Sequence, residues 1–421
     1  MRRIFSLGFP CAVVAGVALS AACGGGESAP PPKVPEPPAS TAPGSVTAAP
    51  PVSAAPTASA APVSSALGPV GKLAVGPLDQ LAVGGDDTCV RGQDHAILCW
   101  GRALEHEQSK TAKVKPVTVK SMADAAEIEL GEYHACIRKS DASVACWGYN
   151  QFGQLGDGTD KGSDEPVAVK GLTGVADIGL GIAHSCARHQ DGTVSCWGSN
   201  LHGQLGDGTA KDRNTPVKVK GLKDVAHLSL GGWSSCALLN TGGVKCWGNG
   251  ERGQNGDGGS LDRRTPVEVS GIANAVGIAV GEHHSCALRK DGTVDCWGDN
   301  DKGQLGDGTG KAHGTPQSIK GLSKVKSIAA GGTHTCAVLE DGGVRCWGHN
   351  GYGQVGDGSK TDRTTPVEVA SIKGVVELNA GDHHTCARLK DQTVMCWGKN
   401  VFGQVGDGTL EDRAKPTFVV F

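Results

Sequence analysis

The chain has 421 residues, 40 basic and 43 acidic, for a formal charge of −3, and no basic run stands out. That balance argues against a nucleic-acid partner, whose phosphates call for a concentrated positive surface. Aromatic residues are only 4% while glycine numbers 65, a composition of many turns around small packing units.

In chain order, Met1 to Ala22 reads as an export signal: Arg2 and Arg3 lead an apolar run through Val13, Val14, Val17 and Leu19 that ends in small residues. It is too short for a persuasive membrane span. Leu19-Ser20-Ala21-Ala22-Cys23-Gly24 resembles a bacterial lipobox, which implies acylation of Cys23. Ser20 departs from the leucine usual at that position, and an ordinary secretory signal with an unmodified cysteine is the alternative. Gly24 after the cysteine implies an outer-membrane destination by the same resemblance. From Cys23 to residue 66 the chain is almost entirely Ala, Pro, Ser, Val and Thr, with Glu27, Lys33 and Glu36 as its charges. It cannot bury enough apolar surface to offset ordering and is expected to be a disordered spacer, its function reach.

Residues 67–421 are a repeat. Cys-Trp-Gly occurs seven times, spaced by 47 residues once and 50 thereafter, each with a second cysteine ten residues upstream. The pairs are Cys89/Cys99, Cys136/Cys146, Cys186/Cys196, Cys236/Cys246, Cys286/Cys296, Cys336/Cys346 and Cys386/Cys396. In the unit 171–220, Val175 to Leu180 alternates as a strand. Ser185 to Arg188 and Val194 to Trp197 flank the Asp191-Gly192 turn signal of a hairpin. Pro216 to Val219 forms a fourth strand with proline at its start, where no ladder donor is lost. Four strands per unit, seven times, predicts an all-β, seven-bladed β-propeller of four-stranded blades.

If Gln190-Asp191-Gly192 is a three-residue loop, Cys186 faces Cys196 on one side of the sheet. Directly opposed residues lie about 4.5–5.5 Å apart, within reach of a disulfide. One disulfide per blade is therefore expected. Reduced buried cysteines and zinc are the competing readings; export opposes the first, and the absence of clustered CxxC-type ligands the second. Gly-Gln-X-Gly-Asp-Gly, present six times from Gly153 to Gly408, reads as a turn with positive φ at its glycines and an Asx turn at its aspartate, not as a phosphate or calcium loop. The repeat tryptophans read as packing residues. Eight proline-led strands (Pro69, Pro116, Pro166, Pro216, Pro266, Pro316, Pro366, Pro416) exceed the seven that the blades need. The expectation is that the C-terminal strand Thr417–Phe421 completes the blade of Cys89/Cys99, with the Pro69 copy as an edge strand or cap. The first repeat also replaces the glycine motif with Arg102 to Gln108, a departure that marks a candidate functional loop.

Gly281 to Gly308 carries the pattern Gly-X-X-His-(Ser/Thr)-Cys-Ala-Leu-X-X-Asp-Gly-X-Val-X-Cys-Trp-Gly-X-Asn-X-X-Gly-Gln-X-Gly-Asp-Gly. It resembles the repeat of the regulator of chromosome condensation family, and the resemblance covers about residues 76–421. It implies the propeller fold. It leaves activity open, since the family includes an exchange factor for a small nuclear GTPase, a plant ultraviolet receptor and secreted bacterial β-lactamase inhibitors. Export and paired cysteines depart from the exchange factor, and tryptophans confined to the repeat position, Trp233 apart, depart from the light receptor.

Function is sought where repeats differ. The loops after each Gly-Asp-Gly vary and repeat an Asp-Arg pair, read as a solvated rim with local ion pairs. Before the first hairpin cysteine, His134, His184, His284, His334 and His384 share one position. A ring of them near a channel mouth offers metal binding or pH sensing, against a structural bond to a neighbouring blade. Trp233 stands alone in that loop set and reads as an interface anchor. The candidate partner-binding residues are Trp233, Tyr133, His184, His284, His334, His384, Glu132 and Asp382. No catalytic motif, metal site or cofactor is expected.

Three functions follow. The first is a monomeric, lipid-anchored, extracytoplasmic propeller that binds an unidentified protein without catalysis. The second is a cell-envelope enzyme or enzyme inhibitor, the enzyme requiring a cleft of converging carboxylates and the inhibitor a flat aromatic and acidic face around Trp233. The third, by family analogy, is a guanine-nucleotide exchange factor.

Overall fold

The computed structural model describes residues 77–102, 112–119, 122, 124–369 and 371–421. The export signal, Cys23, the linker, the strand copy at Pro69 and the first-repeat loop beyond Arg102 lie outside the described residues. Among the described residues 28 strands form seven four-stranded antiparallel sheets, with no helix. Each sheet takes four strands in chain order, and neighbouring sheets pack into the seven-bladed ring.

Blade 3 is representative, with strands Val175–Leu180, His184–His189, Val194–Gly198 and Arg213–Lys218. Its hairpin closes as the spacing requires: the His189 amide donates to the Thr193 carbonyl at 2.8 Å, and Gly192 donates back to His189 at 2.9 Å. Gly192 holds a φ of 76°, a conformation that favours glycine. Cys186 therefore faces Cys196 with their Cα atoms 4.0 Å apart, and the two are bonded.

The other six blades repeat this register and its disulfide. Cys89 is bonded to Cys99 in blade 1, Cys136 to Cys146 in blade 2 and Cys236 to Cys246 in blade 4. Cys286 is bonded to Cys296 in blade 5, Cys336 to Cys346 in blade 6 and Cys386 to Cys396 in blade 7. In each pair the two residues stand directly opposite across the second and third strands.

The blades meet face to face, and each apolar cluster belongs to two of them. Cys136, Cys146, Leu155, Val169 and Leu172 of blade 2 pack against Ile178, Leu180, Ala187 and Trp197 of blade 3. The same seam holds a polar lock. The Gln154 carbonyl of blade 2 accepts from the Trp197 indole at 2.8 Å and from the Ser185 hydroxyl at 3.0 Å, both of blade 3. His134 of blade 2 meets that hydroxyl through Nε2 at 2.8 Å. Since the hydroxyl has one hydrogen and gives it to Gln154, Nε2 carries the proton and donates. Gly156 ends the turn beneath the indole; a Cβ there would lie 2.8 Å from Trp197 Nε1.

The histidine–hydroxyl bond recurs as His184–Ser235, His284–Thr335, His334–Thr385 and, across the closing seam, His384–Thr88. Two seams differ. Blade 1 has Asp87 at the histidine position and blade 2 has Ala135 at the hydroxyl position, while blade 4 has Ser234 for histidine.

Closure corrects one expectation. The last strand, Arg413–Phe418, pairs with Val394–Gly398 in blade 7, and blade 1 has its own outer strand, Lys113–Val119. The proline-led strand is the last of each blade, so counting from each hairpin forward uses seven and leaves over only Pro69. Ring closure needs complementary blade faces and no hydrogen-bonded edge. The tail beyond the last strand nevertheless crosses the seam: Val419 joins the cluster of Leu78, Leu81, Val90 and Trp100, and Phe421 meets the Trp100 ring edge-on at 6.1 Å. The proline lies inside its strand, not at its start: Pro216 is the fourth residue of Arg213–Lys218, within the register shift between Cys196 and Gly198. On that outer edge no ladder donor is lost.

Burial holds His134, His184 and His284 down to about 3 and His384 to about 4, so the locks contain neutral imidazole. A depressed histidine stabilises the fold fully above its unfolded value of about 6.5 and loses that contribution as pH falls toward its folded value. The stability advantage of wild type over His184→Gln is thus expected to shrink by about 1.4 kcal/mol per pH unit between pH 6 and 4. Urea midpoints measured against pH test this; an advantage that stays constant contradicts it.

Candidate functional site

Strand direction places two loop sets on one face of the disc: the short loops between first and second strands, and the long loops between third and fourth. In the short loops the residue after the conserved glycine lines an axial recess. Going round the ring these residues are Gly85, Glu132, Ile182, Gly232, Glu282, Gly332 and Asp382, and the recess holds about 100 Å³. The next residues, which do not line the recess, are Asp86, Tyr133, Ala183, Trp233, His283, Thr333 and His383.

Burial, with Glu132, Asp86 and Glu282 nearby, pushes Asp382 up to about 8. Burial likewise raises Glu132, with Glu282 and Asp86 adding to the effect, and raises the Tyr133 hydroxyl. Glu282 is lowered by its bond to His283. Asp86 is bound by Lys399 at 3.1 Å and by the Gln404 amide at 2.8 Å. Lys399 also lies over the Tyr352 and Phe402 rings at 5.9 and 5.2 Å.

A second hollow, about 340 Å³, opens between blades 2, 3 and 4, where Phe152, Leu201, His202, Ala210, Asp212 and Trp233 meet. Its walls are apolar and open: Leu201 is 71% exposed and Phe152 41%. Two of its polar groups are already engaged. Asp212 accepts from the Asn200 amide at 2.7 Å, and His202 bonds Asp262 at 2.9 Å and the Asn249 amide group at 3.0 Å.

Known proteins agree with this architecture. The model of the regulator of chromosome condensation (RCC1) repeat matches residues 141–188 and 191–238, and a second model of the repeat matches 126–154 and 175–204. The RCC1-like domain model matches 223–420, so the matches run without a gap from 126 to 420. The chain belongs to the RCC1-like repeat family. Human WBSCR16 superposes with a TM-score of 0.67 at 23% identity, over 74% of this chain and 86% of its own. Yeast RCC1 (Prp20), solved with Kap60 bound, gives 0.69 at 24% identity, over 77% and 83%. At such identities the likeness is one of fold. No curated protein sequence matches the chain.

The candidate residues of this RCC1-like chain divide. Trp233, Tyr133, Glu132 and Asp382 lie together on the loop face around the axis. His184, His284, His334 and His384 do not: all are 0% exposed and belong to the seam locks, so they cannot touch a partner. The disulfide cysteines serve the fold and line neither hollow of that face. On the third strands Cys246, Cys296, Cys346 and Cys396 are buried in the clusters between blades, and Cys99 packs half-buried against the cluster of blades 1 and 2. Bonded sulfur has no thiol to offer a metal or a substrate. Among the described residues no group of three His, Cys, Asp or Glu is placed to hold a metal ion. The Asp-Arg pairs are fasteners more than a solvated rim. Arg213 binds Asp207 of its own Gly-Asp-Gly at 2.8 Å, and Asp212 caps the Asn200 amide. Asp362 and Asp412 repeat that cap on Asn350 and Asn400. The Asx turn is present, Thr159 donating to Asp157 at 2.9 Å.

Sequence reasoning passed over Phe152, Leu201, Tyr352, Lys399 and Phe402. The signal was there: the two residues before each Gly-Gln are unconstrained by the repeat and include Phe152, Leu201, Tyr352 and Phe402.

Because Asp382 titrates higher in the fold than in the unfolded chain, it costs stability increasingly as pH rises from about 4 to about 8. Asp382→Asn is expected to melt with wild type near pH 4 and progressively above it up to pH 8.5. Melting temperatures of the two proteins across that range decide the matter; parallel curves would remove the repulsion at the recess.

Proposed function

We propose that this chain is an exported, membrane-tethered propeller that binds another protein through its loop face and catalyses no reaction. The observation that carries the reading is the placement of its aromatic residues. The repeat tryptophans are buried, and apart from Phe418 and Phe421 every other described aromatic (Tyr133, Tyr149, Phe152, Trp233, Tyr352, Phe402) is on that one face. Aromatic side chains gathered on a rigid surface are typical anchors of protein interfaces. Seven disulfides favour an oxidising compartment outside the cytoplasm.

Related folds support the class of ligand. Yeast RCC1 (Prp20) was solved in complex with Kap60, and Prp20p from Saccharomyces cerevisiae binds Gsp1p and histones. Compartment opposes nucleotide exchange as this chain's role. The axial recess has converging carboxylates, yet about 100 Å³ is below the size of ordinary substrate sites. The aromatic and acidic surface around Trp233 favours an inhibitor of an envelope enzyme as the particular kind of binder.

Two measurements test this on the full chain. Mass spectrometry of protein alkylated without reduction should show the fourteen repeat cysteines unmodified. Cross-linking in intact cells should yield one protein partner that purified components rebind, with at least tenfold weaker affinity for Trp233→Ala. Reduced repeat cysteines in the native protein contradict the compartment, and rebinding unaffected by any loop-face substitution contradicts the face.

A further inference from the structure

The apolar hollow and the acidic recess adjoin. Gly232, which precedes Trp233, lies against the next blade so closely that a Cβ there would be 2.8 Å from the Glu282 carbonyl oxygen and 3.0 Å from its Cγ. One loop therefore separates a hydrophobic socket from a ring of carboxylates.

The charge is one-sided. The seven short loops contain Asp86, Glu132, Glu282 and Asp382 and neither lysine nor arginine. Several cations beside these loops are engaged locally: Arg213 with Asp207, Arg363 with Asp357 and Arg413 with Asp407 at the start of the fourth strands, Arg252 with Asp301 at 3.4 Å, and Arg102 over the Phe402 ring at 5.4 Å. Lys399 serves Asp86. Glu132 and Asp382 face Glu282 and Asp86 in a recess wide enough for a single ammonium or guanidinium tip, with Arg102 near Glu132 and Lys399 near Asp382 as the opposing charges. On the opposite face the blade connections present exposed Lys223, Lys324 and Lys373.

The chemistry of the socket selects its occupant. A sugar stacks on an aromatic ring and takes hydrogen bonds from free polar groups beside it. Here Asp212 is held by its own loop and His202 by Asp262 and Asn249 of blade 4, so the open walls of the socket are mainly Phe152, Leu201 and Trp233, which suit an apolar group.

We propose that the socket and the recess together receive one short basic and apolar segment of a partner protein: a bulky apolar side chain enters between Phe152, Leu201 and Trp233, and a neighbouring lysine or arginine reaches Glu132, Glu282 and Asp382. This rests on the reading of the loop face as a protein-binding surface and specifies what that surface selects. Attraction of opposite charge sets orientation and encounter rate, while the desolvated apolar anchor sets residence time.

The test uses the full chain with ¹⁵N-labelled tryptophan and three short synthetic peptides. One alternates lysine and phenylalanine, one glutamate and phenylalanine, one lysine and serine. The lysine–phenylalanine peptide should bind and shift the indole signal of Trp233 while those of the buried repeat tryptophans stay in place. Trp233→Ala and Leu201→Asp should each weaken it at least tenfold, as should the pair Glu282→Gln with Asp382→Asn. Leu201 is too exposed for its substitution to unfold the blade. Equal binding of the glutamate peptide overturns the role of charge, and equal binding of the serine peptide overturns the socket. No binding of the lysine–phenylalanine peptide at millimolar concentration overturns the proposal as a whole. If the cross-linked protein partner still rebinds through the loop face in that case, only this inference falls; if neither binds, the loop-face reading falls with it.

Discussion

Six of the seven seams, among the described residues, are each keyed on one carbonyl group. Gln154 and its equivalents each accept two hydrogen bonds from the next blade, an indole N–H and a hydroxyl, and in five seams the histidine of the first blade completes the set by donating to that hydroxyl. Such a cluster, wholly buried, is satisfied only when the blades sit at one separation and one rotation. Apolar packing supplies the adhesion between blades, and the polar lock supplies the angle. Repetition of that angle around the ring closes the circle, and the loops on the face inherit their positions from it.

This also explains how sequence and structure divide the problem. The hairpin register followed from the ten-residue cysteine spacing together with the Asp-Gly turn signal, because a three-residue loop brings the two sulfurs to one face and a two-residue turn does not. Blade count, the tryptophan role and the turns at Gly-Asp-Gly were legible for the same reason: each is local and repeated. The histidines were not, since a residue repeated before a turn looks the same in sequence whether it faces solvent or the next blade. Its partner, Ser185 or Thr335, lies 51 residues away and carries no mark of its own. The closing strand was misplaced through the premise that a ring needs a paired edge, whereas propeller blades adhere by their faces.

The candidate site was legible where it broke the repeat and invisible where it used positions that the repeat leaves free. Trp233 stood out as the only tryptophan outside Cys-Trp-Gly. Phe152 and Leu201 did not, because the two residues before Gly-Gln vary in every blade. Only the inward dive of the glycine turn, pinned by Asn150 and Asn200, lifts those variable pairs onto the rim beside Trp233. Blade 4 also carries Ser234 where most blades have the locking histidine, so the loop that presents the aromatic anchor departs from the repeat at two successive positions.

The uneven distribution of locks has a consequence in polymer terms. The seam between blades 1 and 2 lacks both the histidine and the hydroxyl, but the backbone runs directly across it and keeps the two faces at a high effective concentration. The seam between blades 7 and 1 is bridged by no strand connection, and it carries the complete set, with His384, Thr88, Trp100 and the Gln404 carbonyl all engaged. The first joint is held by the chain together with bonds of its own, Gln80 with the Ile128 amide and carbonyl and His95 with the Ala125 carbonyl, whereas the closing joint is held by side-chain bonds and packing with no chain connection across it.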